Sequence, residues 1–352
     1  AKAGPEGHGI PTMTATSRAV AALHLAVYYL DRGFEPAAKG KAFSKAAEAV
    51  AGVSDDELTR RSQAGTLTDL DGVGPSTASV IAAAVLERTP EYLNKLEART
   101  RLALGAGAKL SEACRSDLHS HSTWSDGGAS VRTMAMTARA LGRTHLALTD
   151  HSPRLTIAHG LTPERLADQL VEVSALNEEL APFRILTGCE VDILADGSLD
   201  LPDEILSNLD VVVASAHSKL SMPERPMTER MVRAVANPHV DILGHCTGRK
   251  LVGRGRPQST FDAELVFAAC AQFGTAVEVN CRPERQDPPD ELLDLALEWD
   301  CLIAVDSDAH APGQLEWVAH GYERLGRRGV DPDRILTTWD VDRLLDWCGT
   351  SH

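Results

Sequence analysis

The sequence lacks the features that mark membrane proteins, secreted proteins and proteins held together by disulfides. No apolar run reaches 18 residues, and residues 1–17 lack the hydrophobic core of a signal peptide, so we expect neither a membrane span nor a signal peptide. The seven cysteines are widely spaced and contain no C-x-x-C pair, which argues against a disulfide framework and against a zinc finger. We therefore expect a cytoplasmic protein with reduced thiols and no membrane partner.

Positive charge is also scarce. The 352 residues include 35 Lys+Arg and 50 Asp+Glu, a net charge of −15, whereas binding to nucleic-acid phosphates favours clustered Lys and Arg. The acidic excess is uneven, because residues 1–110 carry a balance of +1 and the remaining residues carry −16. Bound metal would neutralise several acids of that second part, so the charge leaves DNA binding open.

The length and the 43% hydrophobic content predict one large domain and one smaller domain. Residues 15–98 have the apolar spacing of helices and are predicted to form an all-α domain. Within it, residues 70–81 (LDGVGPSTASVI) indicate a hairpin that enters a helix, where exposed backbone N–H groups can hold a phosphate without a basic side chain. A plain helix corner that uses glycine for its geometry is the alternative. The predicted DNA-binding residues are Gly72, Gly74, Ser76 and Thr77.

After Arg115, seven short apolar runs alternate with helical stretches. The runs are residues 117–119, 145–150, 184–193, 210–216, 241–244, 276–280 and 301–306. Such alternation predicts parallel strands with crossover helices, and seven runs suit a closed barrel better than an open sheet. The predicted fold is therefore α/β, with a distorted seven-stranded (β/α)7 TIM-like barrel over residues 114–352. Residues 99–113, which contain GAGAKLSEA, are predicted to be a flexible linker.

Six of the thirteen histidines and three carboxylates lie at or just beyond the ends of these runs. They are His119, His121, Asp126, His151, Glu190, His217, His245, Asp308 and His310. This is the rim at which α/β barrels assemble their sites from separate loops. A single histidine is more often an ordinary core or surface residue, but nine such residues at six run ends predict a catalytic metal site. Imidazole and carboxylate together suit Zn²⁺, Mn²⁺ or Fe²⁺.

The same motifs resemble the PHP (polymerase and histidinol phosphatase) superfamily from residue 114 to about residue 340. DLHSHSTWSDG, TDHS, GCEVDI, SAHS, ILGHCTGR, EVN and SDAH occur in the order typical of that family. The resemblance implies the PHP barrel fold and three divalent metal ions. It assigns the first ion to His119, His121, Glu190 and Asp308, the second to Glu190, His217 and His245, and the third to Asp126, His151 and His310. The predicted catalytic residues are Glu190, Asp308 and His310.

A centre of this kind predicts hydrolysis of a phosphoester by hydroxide. Two ions about 3.5 to 4 Å apart lower the pKa of a shared water and clamp the phosphoryl oxygens. No G-x-S-x-G elbow or Cys/His pair offers a side-chain nucleophile instead. Arg249 and Lys219 are predicted to bind substrate phosphate, with solvated loop charge as the alternative for each. Asn280 is placed to orient the substrate or a metal ligand.

Residues 18–97 resemble the N-terminal 8-kDa domain of family X DNA polymerases, and their hairpin resembles a helix-hairpin-helix motif. Two departures change what the resemblance implies. Ser76 and Val80 occupy the positions at which lyase-active members carry a Schiff-base lysine, so lyase chemistry is not expected. The sequence also passes from residue 110 straight to the metal motif, which leaves no room for palm and fingers. We therefore expect no polymerase activity.

Three functions remain open at this point. The first is a metal-dependent phosphoesterase that acts on DNA ends or gaps in repair, as a 3′-5′ exonuclease or a 3′-phosphatase. DNA, and after it other DNA-repair proteins, are the partners that this function suggests. The second is a small-molecule phosphatase of the histidinol-phosphate phosphatase type, and the third is a non-catalytic DNA-binding protein. Nine intact ligand positions make the third the weakest.

Overall fold

The computed structural model describes residues 13–350. The chain divides into two compact units, of which the first ends at Arg101 and the second begins at Leu102. Among the described residues, no helix has both the length and the apolar character needed to cross a bilayer.

The first unit is helical. Its helices are α1 (Ala15–Arg32), α2 (Ala37–Ala51), α3 (Asp55–Ala64), α4 (Pro75–Val85) and α5 (Glu91–Thr100). Apolar residues at helical spacing, such as Leu23 and Leu30 of α1 and Val80 of α4, are buried in one common core. The aromatic rings of Phe43 and Tyr92 stack there with their centroids 5.2 Å apart. Burial of one face of each amphipathic helix therefore holds this small unit together.

The predicted hairpin connects α3 to α4. A 3₁₀ turn at Leu67–Asp69 leads to Gly72, whose φ of +87° lies in the region that favours glycine. At the start of α4, the Gly74 N–H donates to the hydroxyl of Thr77 at 2.9 Å, and that hydroxyl donates back to the Gly74 carbonyl. This reciprocal capping fixes the tight turn between the two helices.

The second unit is an α/β fold with a curled parallel sheet. Its strands are β1 (His145–Leu148), β2 (Arg184–Asp192), β3 (Val211–Ser215), β4 (Ile242–Leu243), β5 (Ala276–Asn280) and β6 (Ile303–Asp306), paired in that order. Its helices are α6 (Ala108–Glu112), α7 (Val131–Ala140), α8 (Pro163–Leu180), α9 (Asp203–Leu206), α10 (Glu224–Val235), α11 (Ala263–Phe273), α12 (Asp290–Glu298), α13 (Val318–Gly326) and α14 (Val341–Thr350). Most of the longer helices lie between successive strands, as crossover connections require.

Alternate residues of the strands face two different cores. One apolar cluster takes a residue from every strand, and it contains Ala147, Leu186, Val213, Ile242, Ala276 and Ala304. The neighbouring residues on β3 and β6, among them Val212, Ile303 and Val305, belong to a second cluster that includes helix residues. A sheet whose inner faces all meet in one cluster must curl around it.

The predicted seventh strand is not present as a strand, because residues 13–350 contain six. Residues 117–119 lie beside β1, where the Ala147 N–H donates to the Asp117 carbonyl at 2.9 Å. The N–H groups of the same segment bond to side chains, since Leu118 donates to the Asp306 carboxylate at 2.8 Å and His119 donates to the Asp117 carboxylate at 3.3 Å. Side-chain acceptors thus replace one half of a regular ladder.

The predicted flexible linker is also wrong for most of residues 99–113. Arg99 and Thr100 complete α5, and α6 occupies residues 108–112. The N–H groups of Gly105 and Gly107 donate to the Glu323 carboxylate at 2.8 and 3.0 Å, and Leu110 is buried in the core of the second unit. This glycine-rich stretch therefore packs against α13.

Candidate metal centre

The predicted ligands come together at the carboxyl ends of the strands. Glu190 lies on the inner face of β2, two residues before its end. His217 and His245 follow β3 and β4 by two residues each, and Asp308 follows β6 by two residues. His245 and Asp308 have φ values of +20° and +53°, which are uncommon for residues other than glycine. Such backbone strain clusters at functional sites, where the surrounding structure holds it in place.

Glu190 is the centre of the cluster and is buried. Its Oε1 lies 2.9 Å from His245 Nε2 and 3.2 Å from His217 Nε2. Its Oε2 lies 3.2 Å from His119 Nε2 and 2.9 Å from His151 Nδ1. The two oxygens of one carboxylate therefore face imidazoles from four different segments.

A second group lies beside the first. His121, Asp126, His151 and His310 each offer one ligand atom, and all four atoms lie within 4.8 Å of one another. His121 also forms such a group with His119 and Glu190, and its Nε2 is 3.3 Å from Asp308 Oδ1. His151 forms a further group with Glu190 and His217. All nine predicted ligands belong to this continuous cluster, and His121 and His151 link its parts.

The chemistry of the donor atoms fits divalent cations. Several buried nitrogen and oxygen atoms of the cluster have no hydrogen-bond partner among the described residues. They include Nε2 of His119, His121 and His217, Nδ1 of His151, and Oε2 of Glu190. Buried polar atoms are ordinarily satisfied, and an unsatisfied one costs about 1 to 3 kcal/mol. Lone pairs that converge in this way favour a bound metal ion.

Neighbouring charges keep the carboxylates of the cluster ionised. Burial alone would raise the pKa of Glu190, but the imidazoles of His119, His151 and His217 lower it well below its usual range. The pKa of Asp308 is likewise lowered well below its usual value, because His119 and Arg282 outweigh the effect of burial. An ionised carboxylate is the form that binds a metal ion.

Three buried side chains hold the ligands from behind. Glu278 Oε1 lies 2.5 Å from His119 Nδ1, and its Oε2 accepts the backbone N–H of His245 at 2.5 Å. Asp192 Oδ1 contacts His217 Nδ1 at 3.0 Å. Asn280 donates to Asp308 at 3.0 Å. Contacts of this kind fix the tautomer and the orientation of a ligating imidazole.

The cavity over the cluster has a volume of about 310 Å³ and a basic wall, in which the two arginines were not predicted from the sequence. Arg282, Arg285 and Lys250 line it together with the ligands. Arg282 contacts His310 Nδ1 at 2.8 Å, and Arg285 Nε lies 3.4 Å from Asp308 Oδ2. The two arginines follow the end of β5 by two and five residues, so their position near the rim is visible in the sequence, whereas their contacts with the cluster depend on the loop conformation.

The predicted phosphate-binding residues lie elsewhere. Arg249 does not line this cavity, because its guanidinium donates to the backbone carbonyls of Arg285, at 2.9 Å, and Gln286. Lys219 lines a neighbouring cavity that shares His217 with the first. Arg249 therefore braces the loop that carries Arg285.

In the helical unit, the predicted DNA-binding residues divide into two kinds. Gly74 and Ser76 are exposed and Gly72 is half-buried at the tip of the hairpin. Thr77 is buried, and its hydroxyl is occupied by the cap on Gly74, so its side chain has a structural role. The hairpin thus presents backbone and small side chains to solvent.

The chain is similar to several known proteins. Residues 117–281 match the PHP domain. The DNA polymerase/3′-5′ exonuclease PolX of Bacillus subtilis (strain 168) is 44% identical over 234 residues, which are 66% of this chain and 41% of PolX, so the chain spans less than half of that relative. A probable phosphatase of Thermoanaerobacter sp. (strain X514) is 30% identical over 243 residues, which are 66% of this chain and 93% of the phosphatase.

Among solved structures, histidinol phosphate phosphatase from Lactococcus lactis, in complex with Zn, L-histidinol and phosphate, aligns with a TM-score of 0.44 and 17% identity. The alignment covers 60% of this chain and 93% of that protein. With its PHP domain match and a relative that it covers almost completely, the chain belongs to the PHP domain family and is a hydrolase of the metal-dependent phosphoesterase class.

Proposed function

We propose that this protein hydrolyses phosphoester bonds at DNA ends or gaps, as a 3′-5′ exonuclease, a 3′-phosphatase or both, in DNA repair. The observation that carries the proposal is the cluster of nine ligands beside Arg282 and Arg285, in a chain that also has a helical unit with an exposed glycine hairpin. The likeness to PolX, whose name includes a 3′-5′ exonuclease, supports it over 66% of the chain.

The proposed centre holds three divalent ions, of zinc, manganese or iron. His119, His121, Glu190 and Asp308 would hold the first, and Glu190, His217 and His245 would hold the second. Asp126, His151 and His310 would hold the third, and His121 lies close enough to that group to contribute to it as well. When bound, such ions would supply Lewis acidity and would lower the pKa of a water molecule, which is the chemistry that phosphoester hydrolysis near neutral pH needs.

The basic wall binds and orients the phosphoryl group. Arg285 has a buried Nη1 without a hydrogen-bond partner among the described residues. Lys250 lines the same cavity. Arg282 is held by the Asp308 carbonyl at 2.8 Å, which fixes its planar fork at the rim of the cluster. A fixed guanidinium recognises two phosphate oxygens at once, so these residues align the ester with the attacking water.

The helical unit binds DNA through its hairpin. In this proposal it acts as a helix-hairpin-helix module, in which the backbone around Gly72 and Gly74 approaches a phosphate at the start of α4. Lys45 of α2 lies beside the hairpin, with its side chain 3.5 Å from the Asp71 carboxylate. Small residues at the tip allow a close approach that a larger side chain would prevent.

A small-molecule phosphatase is the second candidate. It is favoured by the probable phosphatase of Thermoanaerobacter sp., since the chain covers 93% of that relative. On this alternative the helical unit would play no part in the recognition of substrate. The two candidates therefore differ in what the helical unit does.

A panel of substrates separates the two candidates. Purified protein is incubated with Mn²⁺ or Zn²⁺ and with 3′-recessed, gapped or 3′-phosphorylated oligonucleotides, beside histidinol phosphate. We expect release of nucleotide or phosphate from the DNA substrates, and no release from the His119→Ala variant. Turnover of histidinol phosphate without turnover of any DNA would establish the second candidate and reject the first.

A pair of glycine variants tests the hairpin. Gly74 has a φ of −96° and no atom within 4 Å of an added Cβ, so Gly74→Leu fits the fold while it blocks the approach of a phosphate. Gly52, at the end of α2, has the same open surroundings and serves as the matched control. We expect Gly74→Leu to weaken DNA binding in a fluorescence anisotropy titration and Gly52→Leu to leave it unchanged. Equal binding by the two variants would remove DNA binding from this hairpin.

A further inference from the structure

A second cavity of about 610 Å³ adjoins the metal centre, and the two cavities share His217. Its floor and walls come from the loop after β3 and from the segment after His245. It is lined by Lys219, Leu220, Met222, Arg256 and Gln258, among others. Because His217 is a proposed metal ligand, this space lies next to the position at which a substrate would be held.

The walls of this second cavity are fixed by hydrogen bonds. Lys250 and Arg256 exchange two backbone hydrogen bonds of 2.9 Å and so close a small hairpin. The Arg256 Nε donates to the Gly248 carbonyl at 2.7 Å. Across the cavity, the Ser259 hydroxyl donates to the Leu220 carbonyl at 2.8 Å, which ties the hairpin to the loop after β3. The cavity is thus a built feature and does not depend on a loose loop.

The charge of the cavity is opposite to that of the protein. Among the described residues that line it none is acidic, whereas the whole chain carries −15. Lys219 is exposed and makes no ion pair within residues 13–350. Its φ of +52° is strained for a lysine, and strain of this kind is retained where the position of a side chain matters. Two cations and an apolar wall at Leu220 and Met222 match a nucleotide, which joins a phosphate to a planar base.

We propose that this cavity, here called the flanking subsite, binds the nucleotide next to the scissile phosphate of a polynucleotide. The inference rests on the proposed function and deepens it, because it makes the barrel itself a reader of DNA. Lys219 and Arg256 bind the adjacent phosphate, and Leu220 and Met222 contact the base. A small phosphoester fills only the 310 Å³ cavity and gains nothing from the subsite.

The test compares two substrates and three variants of the full chain. The substrates are a single-stranded oligo(dT) of ten nucleotides and bis(p-nitrophenyl) phosphate, which has no neighbouring nucleotide. The variants are Lys219→Gln, Arg256→Gln and the control Arg139→Gln, which removes an exposed arginine on α7. We expect kcat/KM for oligo(dT) to fall about tenfold more than kcat/KM for the small diester in the first two variants, as a lost phosphate contact predicts. The control should change neither value.

The salt dependence of DNA affinity is a second measurement, and a folding defect would not change it in the same way. Each phosphate contact contributes a slope of about 0.7 to the fall of log affinity with log salt on single strands. Lys219→Gln should therefore reduce that slope by about 0.7, and Arg256→Lys, which keeps the charge, should restore most of the slope lost in Arg256→Gln.

Two negative results have different meanings. If the wild-type protein cleaves oligo(dT) but neither variant changes its efficiency or its salt slope relative to the small diester, the flanking subsite is wrong and the proposed function stands. If the wild-type protein hydrolyses the small diester and no DNA, the proposed function fails and the subsite fails with it.

Discussion

Glu278 and Asp192 each contact one histidine of the cluster. In each case the contact is with the ring nitrogen that faces away from Glu190. His119 contacts Glu278 through Nδ1 and Glu190 through Nε2, and His217 contacts Asp192 and Glu190 in the same way. A carboxylate at Nδ1 fixes the proton there and leaves Nε2 as the lone pair for a metal ion. The two acids therefore position one ligand each in different parts of the cluster.

Replacing either Glu278 or Asp192 by its neutral amide should weaken metal binding without abolishing it. We expect Glu278→Gln and Asp192→Asn to lower metal affinity about 10- to 100-fold, since that is the usual effect of losing such a partner. The measurement is the metal content after dialysis against buffered Zn²⁺ or Mn²⁺. The control is Asp342→Asn, which makes the same acid-to-amide change at an exposed position of α14. Full retention of metal by Glu278→Gln would show that His119 needs no such partner.

His145 offers a prediction about pH, away from the metal ligands. It is buried at the start of β1, and burial lowers its pKa to about 4. In the unfolded chain the pKa is near 6.5, so the unfolded state takes up the proton more readily. The contribution of neutral His145 to stability is therefore complete above pH 6.5 and is lost as the pH falls toward 4.

Substitution of His145 should remove this loss of stability at acid pH. At pH 5 the protonation of His145 is expected to cost about 2 kcal/mol of unfolding free energy, from 1.36 kcal/mol for each pKa unit. His145→Gln should therefore show a smaller fall in stability between pH 7 and pH 5 than the wild type, measured by urea unfolding. His24→Gln, at an exposed position of α1, should follow the wild type. Parallel curves for wild type and His145→Gln would contradict the assignment.

The clustering of the proposed ligands could be predicted from the sequence, whereas the residues that support them could not be predicted by the same rule. Position after an apolar run identified residues such as His217 and Asp308, because strand ends are visible in a sequence. Glu278 lies inside β5 and was missed. Its signal was the alternation Ala276, Glu278, Asn280, which places all three on the inner face of the sheet. Arg282 and Arg285 needed the loop conformation that turns them back over the cluster.

At the scale of elements, the stretch Gly105 to Gly107 shows why glycine alone is a poor sign of flexibility. A Cβ on Gly107 would lie 2.5 Å from the Tyr322 carbonyl, and a Cβ on Gly326 would lie 2.3 Å from the Ala106 carbonyl. These glycines allow the backbone before α6 to contact α13 directly. The sequence pattern of a linker and that of a tight backbone contact are the same, so only the structure separates them.

A methyl group at this contact should destabilise the second unit. We expect Gly326→Ala to cost about 1 to 3 kcal/mol, the usual effect of overpacking, because the atoms it meets are backbone. Gly349→Ala, on α14 with nothing within 4 Å, is the matched control and should be neutral. The measurement is the thermal midpoint followed by tryptophan fluorescence. A midpoint unchanged by Gly326→Ala would mean that α6 separates from α13 at little cost.

The first apolar run, residues 117–119, shows a second limit of sequence patterns. Its pattern predicted a strand, and the segment lies beside β1. Asp117 accepts the Ser307 N–H at 3.2 Å through its side chain, at the position where a ladder would use a carbonyl. Hydrophobic alternation cannot reveal such a replacement. The pattern therefore predicted a strand here and did not predict that side chains take part in its hydrogen bonding.

For the whole molecule, the tryptophans allow the two units to be followed separately. All five lie at residue 124 or later, so the helical unit has none. Tryptophan fluorescence therefore reports the second unit alone, and helical circular dichroism reports both. This separation matters because unfolding of a chain with two units need not be a single transition.

Metal ions should stabilise only the unit that contains the cluster. Ions that bind the folded state lower its free energy by RT ln(1 + [L]/Kd), about 2.7 kcal/mol at a concentration of 100 Kd. For a unit of this size, that is a rise in the midpoint of about 5 to 10 °C. We therefore expect a chelator to lower the fluorescence midpoint and Zn²⁺ or Mn²⁺ to restore it, while the transition of the helical unit stays in place. If both transitions moved together, the ions would be acting through general ionic effects, since the helical unit contains none of the nine ligands.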